Sequence, residues 1–361
     1  MRIGIFCYNL QGVGPRNRAK NLIRGLGKYT NYEVEVITNS KIDFNYGNIN
    51  VRLVDLRSLL TKMDEIGKTL KKTDIVHVPV NFYQALFVRS IYNGPLVLGA
   101  GIQHERLYRI LTKFLIHPSY IIETHPKVEK LWKKDGFRST FVYPSVDTEV
   151  FRPYNEDKIE EIKRELGIPL HRKVVLYVGR LEKFKGADIF YKLTKVASNM
   201  RGDLFFVVIG DGELRYLFTS GDQNMLYLGY VKNDDLPKYY NIADVTVVPS
   251  ESESFSFVSL ESAACGTPVI TTAEGTIKNI FGKKQIYLWA NRDTSSIVEK
   301  VNLLLDDKKF YRRQVKKALE FIKVEGLTLD RFVEKHVEVY KRVIKELDTV
   351  NLNVPGYLKG D

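Results

Sequence analysis

Cysteine is almost missing from this chain: Cys7 and Cys265 are the only two in 361 residues. Both sit in apolar surroundings, which argues against a disulfide framework or a cysteine-based metal site and reads as core positions in a reducing compartment. No apolar run approaches the roughly 20 residues that a membrane-crossing helix needs. The opening residues, MRIGIFCYN, read as a first strand rather than a secretion leader, so the expected location is cytoplasmic. There is no D-x-D metal motif, no helix-turn-helix, RNA-recognition or zinc pattern, no solenoid repeat and no low-complexity tract. Negative charge is the scarcer sign, with 43 acidic against 55 basic residues. The excess is uneven, since residues 1–147 hold 22 basic against 12 acidic side chains. Such a field favours an anionic partner: nucleic acid, an anionic membrane surface or a phosphate-bearing molecule.

What is present is organised around Asp244–Thr272. Val245–Val248 is a short apolar run of the kind buried on both faces of a parallel sheet. Pro249-Ser250 stops it, a serine-rich turn follows, and a helical pattern runs from about Phe257 to Cys265. Gly266-Thr267-Pro268 closes that helix before a new strand at Val269-Ile270. Glu253 lies in the turn and Glu261 about two turns into the helix. The helix start offers unpaired backbone N–H groups at the positive end of the dipole, which suits an anion. A carboxylate deeper in the helix can accept hydrogen bonds from a cis-diol, and one in the turn from sugar hydroxyls. A solvated surface glutamate is the competing reading for Glu261 taken alone.

Pro249, Ser250, Glu253, Phe255, Glu261, Ala264, Gly266, Pro268, Val269 and Ile270 together resemble the E-x7-E signature of retaining GT-B glycosyltransferases of family 4. Two departures stand out. Ser254 and Ser256 replace the usual glycines beside the phenylalanine, and Ser262 replaces the usual alanine. A serine at a position with positive φ would be strained.

Other segments follow the same pattern. Residues 2–8 read as a strand that leads through Gly12 and Gly14 into a basic helix over Arg16–Lys28. A loop of that kind can bring backbone N–H groups to a phosphate, and a plain turn is the alternative. It resembles the family's glycine-rich loop. Strands are predicted at 32–38, 51–55, 74–79, 95–98, 120–122 and 140–143, with His77 read as a strand residue. The family places a histidine after the 95–98 strand, where Gly101 stands here; His104 is the substitute if the loop bends back. Residues 102–117 look amphipathic, with Arg106, Arg109 and Lys113 beside Leu107, Ile110, Leu111, Phe114 and Leu115. The default reading is core packing with a solvated basic face; contact with lipid head groups is the other. Pro144-Ser145-Val146-Asp147 with Phe151-Arg152-Pro153 resembles the family's interdomain segment, and its prolines read as a linker in any case.

In the second half a strand at Lys173–Gly179 delivers Arg180 and Lys185-Gly186 to the carboxyl edge of a sheet, where doubly wound folds bind ligands. Arginine grips phosphate with two N–H groups and lysine supplies a point charge. GR-x4-KG resembles the family's diphosphate-binding motif. Leu204–Ile209 ends in a V-I-G-x-G-like turn at Gly210, and 226–231, ending at Val231, resembles the segment whose backbone meets the nucleobase. Helices are predicted at about 155–166, 294–305, 308–324 and 329–347, with an irregular tail after Asp348.

The resemblance implies an α/β protein of the GT-B class: two Rossmann-like doubly wound domains facing a cleft, over 1–150 and 151–330, with 331–361 forming a helix that crosses back to the first domain and a tail. It implies a retaining glycosyltransferase that moves a sugar from a UDP-, GDP- or ADP-linked donor to an acceptor hydroxyl. Glu253, Arg180, Lys185 and His104 are the expected catalytic group. Glu261, Gly12, Gly14, Gly210, Val231, Phe255, Ser256, Phe257 and Val258 are expected to line the donor. No cofactor and no obligatory metal are expected. The basic first half suits an anionic or lipid-linked acceptor and peripheral contact at the inner membrane face. A non-catalytic nucleotide-sugar binder, a GT-B epimerase and, less favoured, a nucleic-acid-binding protein are the rival readings.

Overall fold

The computed structural model describes all residues except 9, 11–14, 43, 80–81, 101–104, 220 and 353–361. The expectations for Gly12, Gly14, Gly101 and His104 therefore lie outside the described residues. The chain divides into two compact units, Met1–Ser145 with Leu327–Asp361, and Val146–Gly326.

In the first unit seven strands form one sheet: β1 (Arg2–Phe6), β2 (Glu33–Thr38), β3 (Ile49–Leu53), β4 (Ile75–Val78), β5 (Leu96–Ala100), β6 (Tyr120–Glu123) and β7 (Ser139–Phe141). Every pairing is parallel and the order is β3-β2-β1-β4-β5-β6-β7. Parallel strands need crossovers, and the helices that supply them cover both faces. One face packs Leu22, Ile23 and Leu26 of the helix Pro15–Tyr29 together with Phe332, Val333 and Tyr340 of the long helix Leu329–Leu352. The other packs Ile66, Ala85, Val88 and Trp132. The last helix runs on to Leu352, four residues into the stretch read as irregular. His77, on β4, is buried and shares a 2.6 Å hydrogen bond through Nδ1 with the Tyr340 hydroxyl, while its ring stacks on that of His336.

The second unit repeats the plan with six parallel strands: β8 (Lys173–Val178), β9 (Leu204–Ile209), β10 (Met225–Tyr227), β11 (Val245–Val248), β12 (Val269–Thr271) and β13 (Leu288–Trp289), in the order β10-β9-β8-β11-β12-β13. The four residues of β11 are all buried, as a central strand covered on both faces requires. Chain order reverses between β8 and β11, and the crevice outside the carboxyl ends of such a pair is where open α/β sheets bind ligands.

Candidate functional site

Two loops leave the carboxyl ends of β8 and β11, one on each side of that reversal. The first carries Arg180 and Lys185, the second Ser250 and Glu253. They are fastened along their length. Glu251 donates its N–H to the Phe184 carbonyl at 2.9 Å. Gly186 adopts φ 73°, and a Cβ there would lie 2.1 Å from the Pro249 carbonyl oxygen, so only glycine lets the loops approach this closely. Gly210, after β9, is pressed in the same way against the Gly179 carbonyl, 1.8 Å from where its Cβ would be. It therefore shapes the floor under the Arg180 loop. The buried Tyr177 on β8 donates its hydroxyl to the Arg180 carbonyl at 2.8 Å.

This construction brings Lys185 and Glu253 together, with Nζ 2.7 Å from Oε1 and both side chains mostly covered. Ser250 donates its hydroxyl to the same oxygen at 2.8 Å. Arg180 does not join them. Its guanidinium pairs with Glu182 at 2.8 Å and stays half exposed.

Glu261 sits in a separate nest. Asn233 Nδ2 donates to its Oε1 and the buried Tyr240 hydroxyl to its Oε2, each at 3.0 Å. Glu261 is only 5% exposed. Burial pushes its carboxyl up from 4.5 to about 7, against the two hydrogen bonds that favour the charged form, with Asp234 adding to the rise. The solvated-surface reading of Glu261 is thus overturned. A carboxylate has about four acceptor positions and two are filled, so it can still accept from a ligand diol.

The helix Phe257–Ala264 starts at Ser256, which has φ 62° and is buried. A serine does stand where the backbone asks for glycine. Its Oγ accepts the Ser259 N–H at 3.2 Å, a capping bond that offsets part of the conformational cost. A helix start leaves the Phe257 and Val258 N–H groups without acceptors inside the helix. The Phe255 ring is buried against Phe281 with ring centroids 5.4 Å apart, which leaves its backbone rather than its side chain to meet a ligand. Val231 follows β10 and is partly exposed.

Sequence reading missed Asn233, Tyr240, Tyr177 and Arg292. Arg292, beyond β13, donates from Nη2 to the Lys183 carbonyl at 2.7 Å and from Nε to the Pro249 carbonyl at 3.3 Å, so one guanidinium ties the two loops together. Among the described residues no three His, Cys, Asp or Glu side chains gather as a metal site would require. Among them, too, no helix is long and apolar enough to cross a membrane.

The sequence model of the family described as Glycosyl transferases group 1 matches residues 158–321, inside the second unit. A D-inositol 3-phosphate glycosyltransferase of Corynebacterium aurimucosum is 35% identical over 146 residues, covering 37% of this chain and 35% of the relative. The enzyme of the same name from Thermomonospora curvata is 28% identical over 249 residues, covering 63% and 56%. The chain thus spans between about a third and just over half of the length of these curated relatives. Among solved structures, Anabaena Alr3699/HepE in complex with UDP-glucose superimposes with a TM-score of 0.74 at 15% identity, over 95% of this chain and all of that one. The chain therefore has the two-domain α/β fold of the GT-B class, and its residues 158–321 match the sequence model of the glycosyl transferases group 1 family.

Proposed function

We propose that this chain is a retaining glycosyltransferase that moves a sugar from a nucleoside diphosphate to an acceptor hydroxyl. The observation that carries the reading is the Lys185–Glu253 pair on the two loops that flank the sheet's reversal, in the same unit as the buried Glu261. In this pair lysine and glutamate neutralise each other. When donor enters, Lys185 turns to the diphosphate and Glu253 to the sugar hydroxyls, while Glu261 takes the ribose diol. The bond from the anomeric carbon to the phosphate oxygen breaks and negative charge grows on the leaving diphosphate. Lys185, Arg180 released from Glu182, and the Phe257 and Val258 amides stabilise that charge. The acceptor oxygen attacks from the side the leaving group departs, and its proton passes to a leaving phosphate oxygen, so no protein nucleophile is needed. The cations supply the charge that a metal ion supplies elsewhere, and the chemistry is read as metal-independent.

A neighbour of the same fold is bound to UDP-glucose, which makes UDP sugars the first donors to try. The strong positive charge of the first unit supports an acceptor that bears phosphate. Thermal shift with UDP, GDP and ADP sugars, followed by assay of nucleoside diphosphate release, tests the reading. At least one donor should stabilise the protein and turn over. Lys185→Ala should cut turnover by about 10²–10³-fold while the protein stays folded. Stabilisation by none of the three, or undiminished turnover in Lys185→Ala, overturns it. Binding with no turnover by the native chain points instead to a non-catalytic nucleotide-sugar binder.

A further inference from the structure

We infer that the outer face of the helix spanning Arg106–Ile116 is a docking surface for an anionic lipid bilayer. This helix runs from Arg106–Leu111 straight into a π-helical turn, Thr112–Ile116. Its polarity is partly inverted relative to a helix on a water-facing surface. Arg109 turns inward and pairs with Asp135, its side chain 8% exposed, beside the buried Thr112 and Ile116. The large apolar residues face out: Leu107 is 61% exposed, Ile110 43%, Phe114 68% and Leu115 46%. Leu107, Ile110 and Phe114 are spaced i, i+3, i+7 and form one stripe. A single exposed leucine needs no explanation, but four large apolar side chains within nine residues make a contiguous patch that marks an interaction site. Tyr83, also exposed, lies against its edge, with its hydroxyl 3.4 Å from that of Tyr108.

The rim of the patch identifies the occupant. Arg106 and Lys113 are exposed on the same helix. Lys113 donates to the Asp135 carbonyl at 3.3 Å, which brings up the end of the helix Pro126–Lys134 with the exposed Lys133 and Lys134. The whole first unit holds 28 basic against 17 acidic residues, which is +11 of the chain's +12. A second copy packed about a twofold axis would set these basic rims against each other. An anionic bilayer satisfies both features: the stripe enters the boundary between head groups and acyl chains, and the lysines meet lipid phosphates. This inference stands independently of the proposed sugar transfer.

Co-sedimentation of the full chain with vesicles tests it. The protein should sediment with vesicles of phosphatidylcholine and phosphatidylglycerol, not with phosphatidylcholine alone, and salt should release it. The double variant Leu107→Ser/Phe114→Ser, altered only at exposed positions, should lower the partition about tenfold or more. Its melting temperature should stay unchanged. Lys113→Glu/Lys134→Glu should weaken binding most at low salt. The inference is overturned if the native chain ignores anionic vesicles or if the Leu107→Ser/Phe114→Ser protein binds them equally. A native dimer that this double variant separates into monomers overturns it too, by assigning the face to a second copy.

Discussion

Replacing Glu261 by glutamine should stabilise the free protein and weaken nucleotide binding at the same time. The carboxyl is pushed from its ordinary 4.5 up to about 7 by burial. A folded-state value above the unfolded one means that the fold favours the protonated form. The group's contribution to stability is therefore intact below about pH 4.5, is lost as pH rises toward 7, and stays lost above it. One pKa unit corresponds to about 1.4 kcal/mol, so holding Glu261 ionised costs on the order of 3 kcal/mol at about pH 8. Glutamine has nearly the same shape and no charge, and the Tyr240 hydroxyl and Asn233 amide can reorient to meet it. Urea unfolding at about pH 8 should show the variant more stable by about 1–3 kcal/mol, with the gap shrinking toward about pH 5.

Nucleotide binding should move the other way. Two ribose hydroxyls donating to a carboxylate are charge-assisted bonds, each worth about 1.5–3 kcal/mol, and glutamine retains only part of that. Calorimetric titration with UDP should give a dissociation constant raised by about 10–100-fold in Glu261→Gln. In the native protein affinity should rise with pH through the neutral range, as ionisation prepares the acceptor. A variant that is destabilised equally at both pH values, or that binds UDP as the native chain does, would refute the role given to this buried carboxylate.

Arg292→Ala should lower turnover about tenfold, since Lys185 and Glu253 lose the tie between their loops, yet leave the affinity for uridine unchanged because Glu261 is untouched; Arg292→Lys, reaching one carbonyl, should fall between. An unchanged rate in Arg292→Ala removes the positioning role. At Ser256, alanine keeps the left-handed conformation and loses the cap, and should cost about 1–2 kcal/mol in urea unfolding; glycine relieves the conformation while losing the cap, and should be near neutral. Equal losses in the two variants would show that φ 62° carries no strain. His77 is held neutral mainly by burial, with the nearby His336 and Arg18 adding to it, and burial likewise lowers His336 to about 3, so each favours the fold above its ordinary 6.5 and that advantage fades as pH falls. Unfolding free energy should drop by about 1.4 kcal/mol per pH unit for each histidine below about pH 6.5, and His336→Gln should remove about half of that slope.

The parts of the site that could be read from the chain are the parts that lie close together in it. Glu253 and Glu261 share one strand-turn-helix unit, and a strand ending in Gly179 announces Arg180 and Lys185 within a few residues. Strand alternation likewise announces both sheets, because parallel strands buried on two faces are short apolar runs with no polar side. The groups that tune the site were out of reach for the opposite reason. Asn233 and Tyr240 come 28 and 21 residues before Glu261, and Arg292 is 43 residues beyond Pro249. Nothing in their local pattern separates them from surface polar residues or core aromatics. The Arg180 pairing with Glu182 was hidden too, since a motif gives the residue but not the partner it takes.

The helix Arg106–Ile116 exposes a deeper limit. Its sequence has an apolar set and a basic set, and amphipathicity alone says that the two lie apart, not which one faces the sheet. The default orientation, core packing with a solvated basic face, holds only in part: Arg106 and Lys113 are exposed, but Arg109 is buried and four large apolar residues face out. Asp135, at the end of a neighbouring helix, draws Arg109 inward, and Tyr108, Leu111 and Ile116 fill the interior. That leaves Leu107, Ile110, Phe114 and Leu115 in water. Among the described residues nothing covers the apolar surface so exposed, and a cluster of this kind marks an interaction site. The same ion pair that defeats the sequence-based orientation is therefore what builds the lipid-facing stripe. Asp135→Asn should loosen Arg109, let the helix roll toward the default orientation, and reduce vesicle binding without any change to the stripe's own residues.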